Sequence, residues 1–189
     1  LLEYATSYRR PLAPLLSNPK MIRPILRYGA PVLHRGATEV QELTVATQDL
    51  LDDMVETMYA ASGVGLAAPQ IGVEQRLFVA DASSGRSVEE LFVVINPTIV
   101  EADGRQHEEE GCLSLPGFTE RVVRYNRVIV EGLNRDGQPL RVEGEGLLAR
   151  IFQHEIDHLD GSLFVNHLHG IKREVIVRRI RKLRRAGKW

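Results

Sequence analysis

The sequence predicts an α+β fold: one compact domain in which antiparallel or mixed sheets pack around a central helix, with a basic helix near the C-terminal end. Three observations lead there. Helix-periodic and strand-like segments do not alternate regularly along the chain. An Asp-Gly step, Asp136-Gly137, separates two β-rich runs. An apolar stripe at helical spacing runs through Leu148, Phe152, Ile156 and Leu159. The 189 residues, 43% of them hydrophobic, are enough for one sizeable core.

Taken in order, residues 1–20 hold Pro11, Pro14 and Pro19 with little periodicity, which predicts a loosely held, flexible extension ahead of Met21. Its charge, Glu3 against Arg9, Arg10 and Lys20, also fits an organellar targeting remnant. From Leu43 to Ser62, Leu50, Leu51, Met54, Val55 and Met58 recur at three- and four-residue spacing, an amphipathic helix closed by Gly63 as its C′ residue. Strands are expected at Arg76 to Ala80 and at Leu91 to Ile95, the second ended by Pro97. Glu110 to Ser114, followed by Pro116-Gly117, reads as a turn or strand end. Val128 to Leu133 and Gln138 to Val142 flank Asn134-Arg135-Asp136-Gly137 as a hairpin. Leu147 to Leu159 forms the central helix, stopped by Gly161, with Arg150, Gln153, Asp157 and Asp160 on its polar side. Lys172 to Lys188 contains nine Lys or Arg residues against Glu174 alone. There Ile176, Ile180 and Leu183 oppose Arg178, Arg181, Lys182 and Arg185, a basic amphipathic helix.

Composition excludes several classes. No apolar run approaches the length of a membrane span, so no membrane partner is expected. A single cysteine cannot form an internal disulfide framework and suits a reducing compartment, the cytoplasm first and an organelle as alternative. The Gly63-Val64-Gly65 step lacks a third glycine and a helix start, and no Gly-Lys-Ser/Thr loop follows, so nucleotide binding has no support. DNA is not an expected partner.

The central helix carries His154-Glu155-Ile156-Asp157-His158. Imidazoles four residues apart share one helical face, so both reach a single ion with Glu155 beside them, the layout of a hydrolytic metal helix. Catalytic centres of this kind take three protein ligands and leave a position for water. A third histidine is not supplied at the expected spacing, because position 164 is Phe164, and Glu174 sits in a charged, solvated stretch. Cys112, in a turn that can aim a sulfur, is favoured. His167 and His169 are weaker candidates. A soft thiolate with two imidazoles suits iron or zinc better than magnesium or calcium.

Gly63-Val64-Gly65-Leu66-Ala67-Ala68-Pro69-Gln70, then Glu110-Gly111-Cys112-Leu113-Ser114, then Gln153-His154-Glu155-Ile156-Asp157-His158-Leu159-Asp160-Gly161 resemble, in order and spacing, the three motifs of peptide deformylases. The resemblance runs from about Met21 to the basic helix. It implies a catalytic domain at 21–170, with 171–189 as the basic C-terminal helix of the same domain. It implies hydrolysis of the N-terminal formyl group of formyl-methionyl nascent polypeptides. Cys112, His154 and His158 would hold one divalent ion, Fe2+ first, with Zn2+, Ni2+ or Co2+ compatible. Glu155 would be general base toward the metal-bound water and then general acid toward the amine. The Gln70 side chain and the Leu113 backbone N–H would receive the oxyanion, and Gly65 would contact the peptide, which lies along a strand edge. Ile151 is expected to line the pocket for the first side chain.

Alternatives stay open at this point. Gln70 would also serve simply to satisfy a loop backbone group, and Gly65 to allow close backbone approach. The runner-up function is cleavage of internal peptide bonds; the non-enzymatic one is a ribosome-associated module with a structural metal. The resemblance associates the terminal helix with ribosome docking.

Overall fold

The computed structural model describes residues 20–87 and 90–189. Apart from Lys20, the proposed extension lies outside the described residues. Seven strands and three helices follow: α1 (Val45–Ala60), β1 (Gly65–Ala67), β2 (Leu77–Asp81), β3 (Leu91–Asp103), β4 (Gln106–Gly111), β5 (Thr119–Arg124), β6 (Arg127–Leu133), β7 (Pro139–Glu145), α2 (Gly146–Leu159) and α3 (Ile171–Arg185). The strands form a five-stranded sheet in the order β1-β2-β3-β6-β7 and a separate β4-β5 pair, antiparallel at every pairing. The α+β expectation holds.

The side-chain period of two in β2 divides the core. Leu77 and Val79 face one cluster with Leu51, Met54 and Met58 of α1. Phe78 and Ala80 face another with Ala149, Phe152, Ile156 and Leu159 of α2. The two helices therefore cover opposite faces of the sheet, and every residue of β2 is buried. A third cluster joins Leu115, Phe118 and Val122 to Phe164, Ile176 and Ile180, seating the predicted apolar stripe of α3.

Helix α1 starts on a reciprocal Thr44–Thr47 capping box and ends at Ala60, two residues short of the expected Ser62. Ser62, at φ 55°, takes the left-handed position. Gly63 N–H then reaches back to the Met58 carbonyl at 2.9 Å. Gly63 also packs closely: a Cβ there would lie 2.8 Å from Leu113 Cδ1, which would have to shift. Gly161, at φ 75°, does close α2 as expected, with Ser162 N–H bonded to the Asp157 carbonyl. The Asn134–Gly137 turn is also as read, Asn134 Oδ1 accepting from Asp136 and Gln138 N–H while β6 pairs β7.

Pro97 does not end the second strand. β3 runs on to Asp103 because the register shifts between Ile95 and Thr98, a bulge where a residue without an N–H costs no ladder bond. Asn96 occupies that bulge at φ 52°, and its amide closes two hydrogen bonds with the Val40 backbone. The polar side of α2 is itself partly buried. Arg150 and Gln153 are buried, and Gln153 clamps Tyr125 by accepting from its N–H and donating to its carbonyl, both at 2.9 Å.

Candidate metal centre

Helix α2 is buried from Ala149 through Ile156, so its imidazoles enter the protein rather than solvent. His154 and His158 stack edge to face with ring centroids 5.0 Å apart, as neighbours one turn apart must. Cys112 arrives from the other direction. It follows β4 directly, and a Leu115 N–H to Cys112 carbonyl bond of 2.9 Å closes the turn beyond it. The Sγ atom lies 3.2 Å from His158 Nε2, and the ligand atoms of Cys112, His154 and His158 all lie within 4.8 Å of one another. Among the described residues this is the group whose donors fit a metal ion. Two neighbouring buried atoms, Glu155 Oε2 and His158 Nδ1, lack a hydrogen-bond partner. The Glu155 oxygen is the one that solvent on a bound divalent cation would satisfy, whereas His158 Nδ1 is the ring nitrogen opposite the Nε2 that meets the sulfur. His167, His169 and Glu174, the weaker candidates, are exposed and stand outside this group.

Behind the donors sits a buried ionic network. Glu110 accepts from His154 Nδ1 at 2.6 Å and from Arg124 Nη2 at 2.7 Å on one oxygen, and from Arg150 Nη1 at 2.8 Å on the other. Arg124 continues to Asp157 at 2.7 Å, which His167 meets at 2.6 Å. Burial alone would raise the Glu110 pKa, but the hydrogen bonds from His154 and Arg124 overcome it and hold the carboxylate well below its usual range. With Nδ1 engaged by Glu110, Nε2 is the His154 nitrogen left to ligate, the arrangement by which carboxylates orient metal-binding imidazoles. His158 is pushed well below the usual histidine range, first by burial and then by the charge of His154. Burial would lower His154 too, yet the Cys112 sulfur and Glu110 outweigh it and raise that ring well above its ordinary value. A cation entering here displaces a proton from the His154 imidazole.

Glu155 is buried at 3% exposure, and burial pushes its pKa up to about 7, where a carboxyl group both takes and gives a proton near neutrality. Gly65 makes its position available: a Cβ there would lie 2.3 Å from Glu155 Oε1. Close approach is thus required, although by this side chain as well as by any ligand. Gln70 divides its roles between its two ends. Its Oε1 accepts from Ala67 N–H at 2.9 Å, satisfying a loop backbone group, while Nε2 points to Ser114 Oγ at 3.3 Å and Cys112 Sγ at 3.6 Å. A cavity of about 400 Å³ opens on these groups, lined by Gly65, Gln70, Cys112, Leu113, Ile151 and Glu155 among others.

The sequence offers Glu110 within its motif without a role, and Arg150 and Asp157 only as the polar side of the helix. The helical offset from Arg150 to His154 was the available signal. Nothing local in the sequence pairs Arg124 with Glu110: the β4-β5 register sets Arg124 opposite Gln106 and Glu110 opposite Glu120, and the contact is made by the long side chains.

A fold of this kind, with three convergent donors that could hold a metal beside a buried carboxylate and an open cavity, fits the class of metal-dependent hydrolases. Comparison with known proteins narrows the class. The family model described as polypeptide deformylase matches residues 22–174. A peptide deformylase of Acidobacterium capsulatum is 53% identical over 169 residues, covering 89% of this chain and 99% of that protein. The crystal structure of a peptide deformylase from Legionella pneumophila superposes with a TM-score of 0.82 at 46% identity, covering 88% of this chain and 97% of that one. The peptide deformylase structure from Thermus thermophilus gives a TM-score of 0.78 at 48% identity, covering 85% and 94%. The chain belongs to the polypeptide deformylase family, hydrolases that remove the formyl group from nascent polypeptides.

Replacing Glu110 by alanine removes the carboxylate that aims His154 while all three donor side chains stay in the sequence. The expected outcome is divalent-metal affinity weakened about 10- to 100-fold, read by competition with a chromogenic chelator. Unchanged retention would contradict the positioning assigned to Glu110.

Proposed function

We propose that Cys112, His154 and His158 hold one divalent ion, ferrous iron first, with zinc, nickel and cobalt compatible with the same donors. The reaction at this centre is hydrolysis of the formyl amide of formyl-methionyl nascent chains. The observation that carries the reading is the convergence of one sulfur and two imidazoles within 4.8 Å beside a buried carboxylate oxygen that has no partner. A divalent ion in this donor set supplies Lewis acidity and lowers the pKa of water to about 7.

The chain's own residues do the rest. Glu155 takes a proton from the attacking water and delivers it to the departing amine, a task its raised pKa suits. Gln70, anchored through Oε1, presents Nε2 toward the developing oxyanion, and the Leu113 backbone N–H approaches from the turn that carries Cys112. The peptide adds along β1, an edge strand of the five-stranded sheet, with Gly65 offering backbone contact and Ile151 lining the pocket for the first side chain. Residues 21–170 act as the catalytic domain, and 171–189 belong to the same domain through the seating of Ile176 and Ile180. The enzyme works in the cytoplasm, where thiolate ligands persist.

Formate release from a formyl-Met peptide, without cleavage of internal bonds, is the expected activity. Glu155→Ala should lower kcat by about 10²- to 10⁴-fold with metal content intact. Internal cleavage, or full activity without the carboxylate, would overturn the assignment.

The exposed side of α3 presents Arg178, Arg181, Lys182 and Arg185, with Ile171 and Val175 also open to solvent. We infer that this side meets the ribosome. Co-sedimentation with ribosomes should weaken as salt rises and on charge reversal at Arg178 and Arg181; binding indifferent to both would contradict it.

A further inference from the structure

The cavity has a wall that none of the three motifs supplies. It is the turn from Leu115 to Thr119, closed by a Phe118 N–H to Leu115 carbonyl bond of 3.2 Å, with Gly117 at φ 78°. Phe118 lines the cavity yet is only 7% exposed, because other groups cover its ring. The Trp189 indole meets it edge to face at 5.9 Å, and the Arg179 guanidinium of α3 stands 5.3 Å from its centroid.

Trp189 is itself held. Its Nε1–H donates to the Tyr28 carbonyl at 3.0 Å, and Arg27 lies 5.7 Å from its ring. The Leu26–Tyr28 strap beneath it is tied to both catalytic loops: Tyr28 N–H bonds to the Ser114 carbonyl at 2.8 Å, and Leu26 N–H to the Gln70 carbonyl at 2.7 Å. Arg184 of α3 packs against the same strap, where a Cβ on Gly29 would lie 2.6 Å from Nη1. The end of the basic helix therefore touches the strap and the cavity wall together.

We propose that Trp189 and Arg179 are positioning residues for peptide binding: they fix the Phe118 ring, and so set how the cavity accepts the residues that follow the formylated methionine. This rests on the cavity being the formyl-peptide site. Neither residue is among those lining the cavity with Cys112, His154 and Glu155, so their effect belongs to KM rather than to kcat.

Trp189 is the only tryptophan in the chain, so its emission reports on this contact without any substitution. Titrating the metal-loaded protein with the product tripeptide Met-Ala-Ser should shift or quench that emission. Saturation is expected at the concentration where the tripeptide inhibits formate release. Arg179→Gln, on the surface of α3, should raise KM for formyl-Met-Ala-Ser about two- to fivefold with kcat unchanged. Trp189→Ala should do the same, and Trp189→Phe, which keeps an aromatic ring, should recover most of it. Emission unmoved at saturating peptide, or KM unchanged in both Arg179→Gln and Trp189→Ala, would overturn the proposal. So would a fall in kcat that tracks lost thermal stability. Absence of formate release from the unsubstituted enzyme would instead sink the reading of the cavity on which the inference stands.

Discussion

The Glu110 carboxylate joins three elements that the chain keeps far apart. It lies next to the end of β4, receives Arg124 from β5, and binds both Arg150 and His154 from α2. All four side chains are buried, so the carboxylate and the two guanidiniums have exchanged water for one another. Such an arrangement adds little net stability over a well-packed apolar one, because desolvation offsets the attraction; removing one member is another matter, at about 3–5 kcal/mol for an uncompensated buried charge. What the network contributes is geometry. Once Glu110 is engaged by α2, the next two residues of the chain are committed, and the second of them is Cys112. The same contacts that aim an imidazole also deliver the sulfur.

A second constraint is steric. Two glycines in the first motif are defined by what presses on them: Leu113 against Gly63, and Glu155 against Gly65. The β1 loop, the cysteine turn and the histidine helix are thus in contact at the site itself, with Gln70 bridging backbone and side chains across the gap. Chemistry follows from this crowding. A carboxyl group packed against a glycine and excluded from water has its pKa raised by desolvation, which fits it for proton transfer near neutrality.

Much of this was legible in the chain. The period of 3.6 identified α1 and α2, the Asp-Gly step identified the β6-β7 hairpin, and donor chemistry picked Cys112 as partner to the two histidines before any fold was known. The remainder was hidden for physical reasons. β4 reads Gln-His-Glu-Glu-Glu, with no apolar alternation, because the one residue it buries is Glu110. The burial of Arg150 and Gln153, which the sequence shows only as polar-side residues, depends on partners in β4, β5 and the Tyr125 turn. Pro97 looked like a strand end because a bulge is a property of register, which pairing decides. Long-range pairing likewise concealed the contact between Phe118 and Trp189.

The account turns on whether the sulfur and both imidazoles share one ion. X-ray absorption at the zinc edge of the zinc-loaded protein tests this most directly. One sulfur at about 2.3 Å with two imidazole nitrogens and one further light atom at about 2.0–2.1 Å is expected, the sulfur shell vanishing in Cys112→Ser. A shell of nitrogen and oxygen alone in the unsubstituted protein would contradict it.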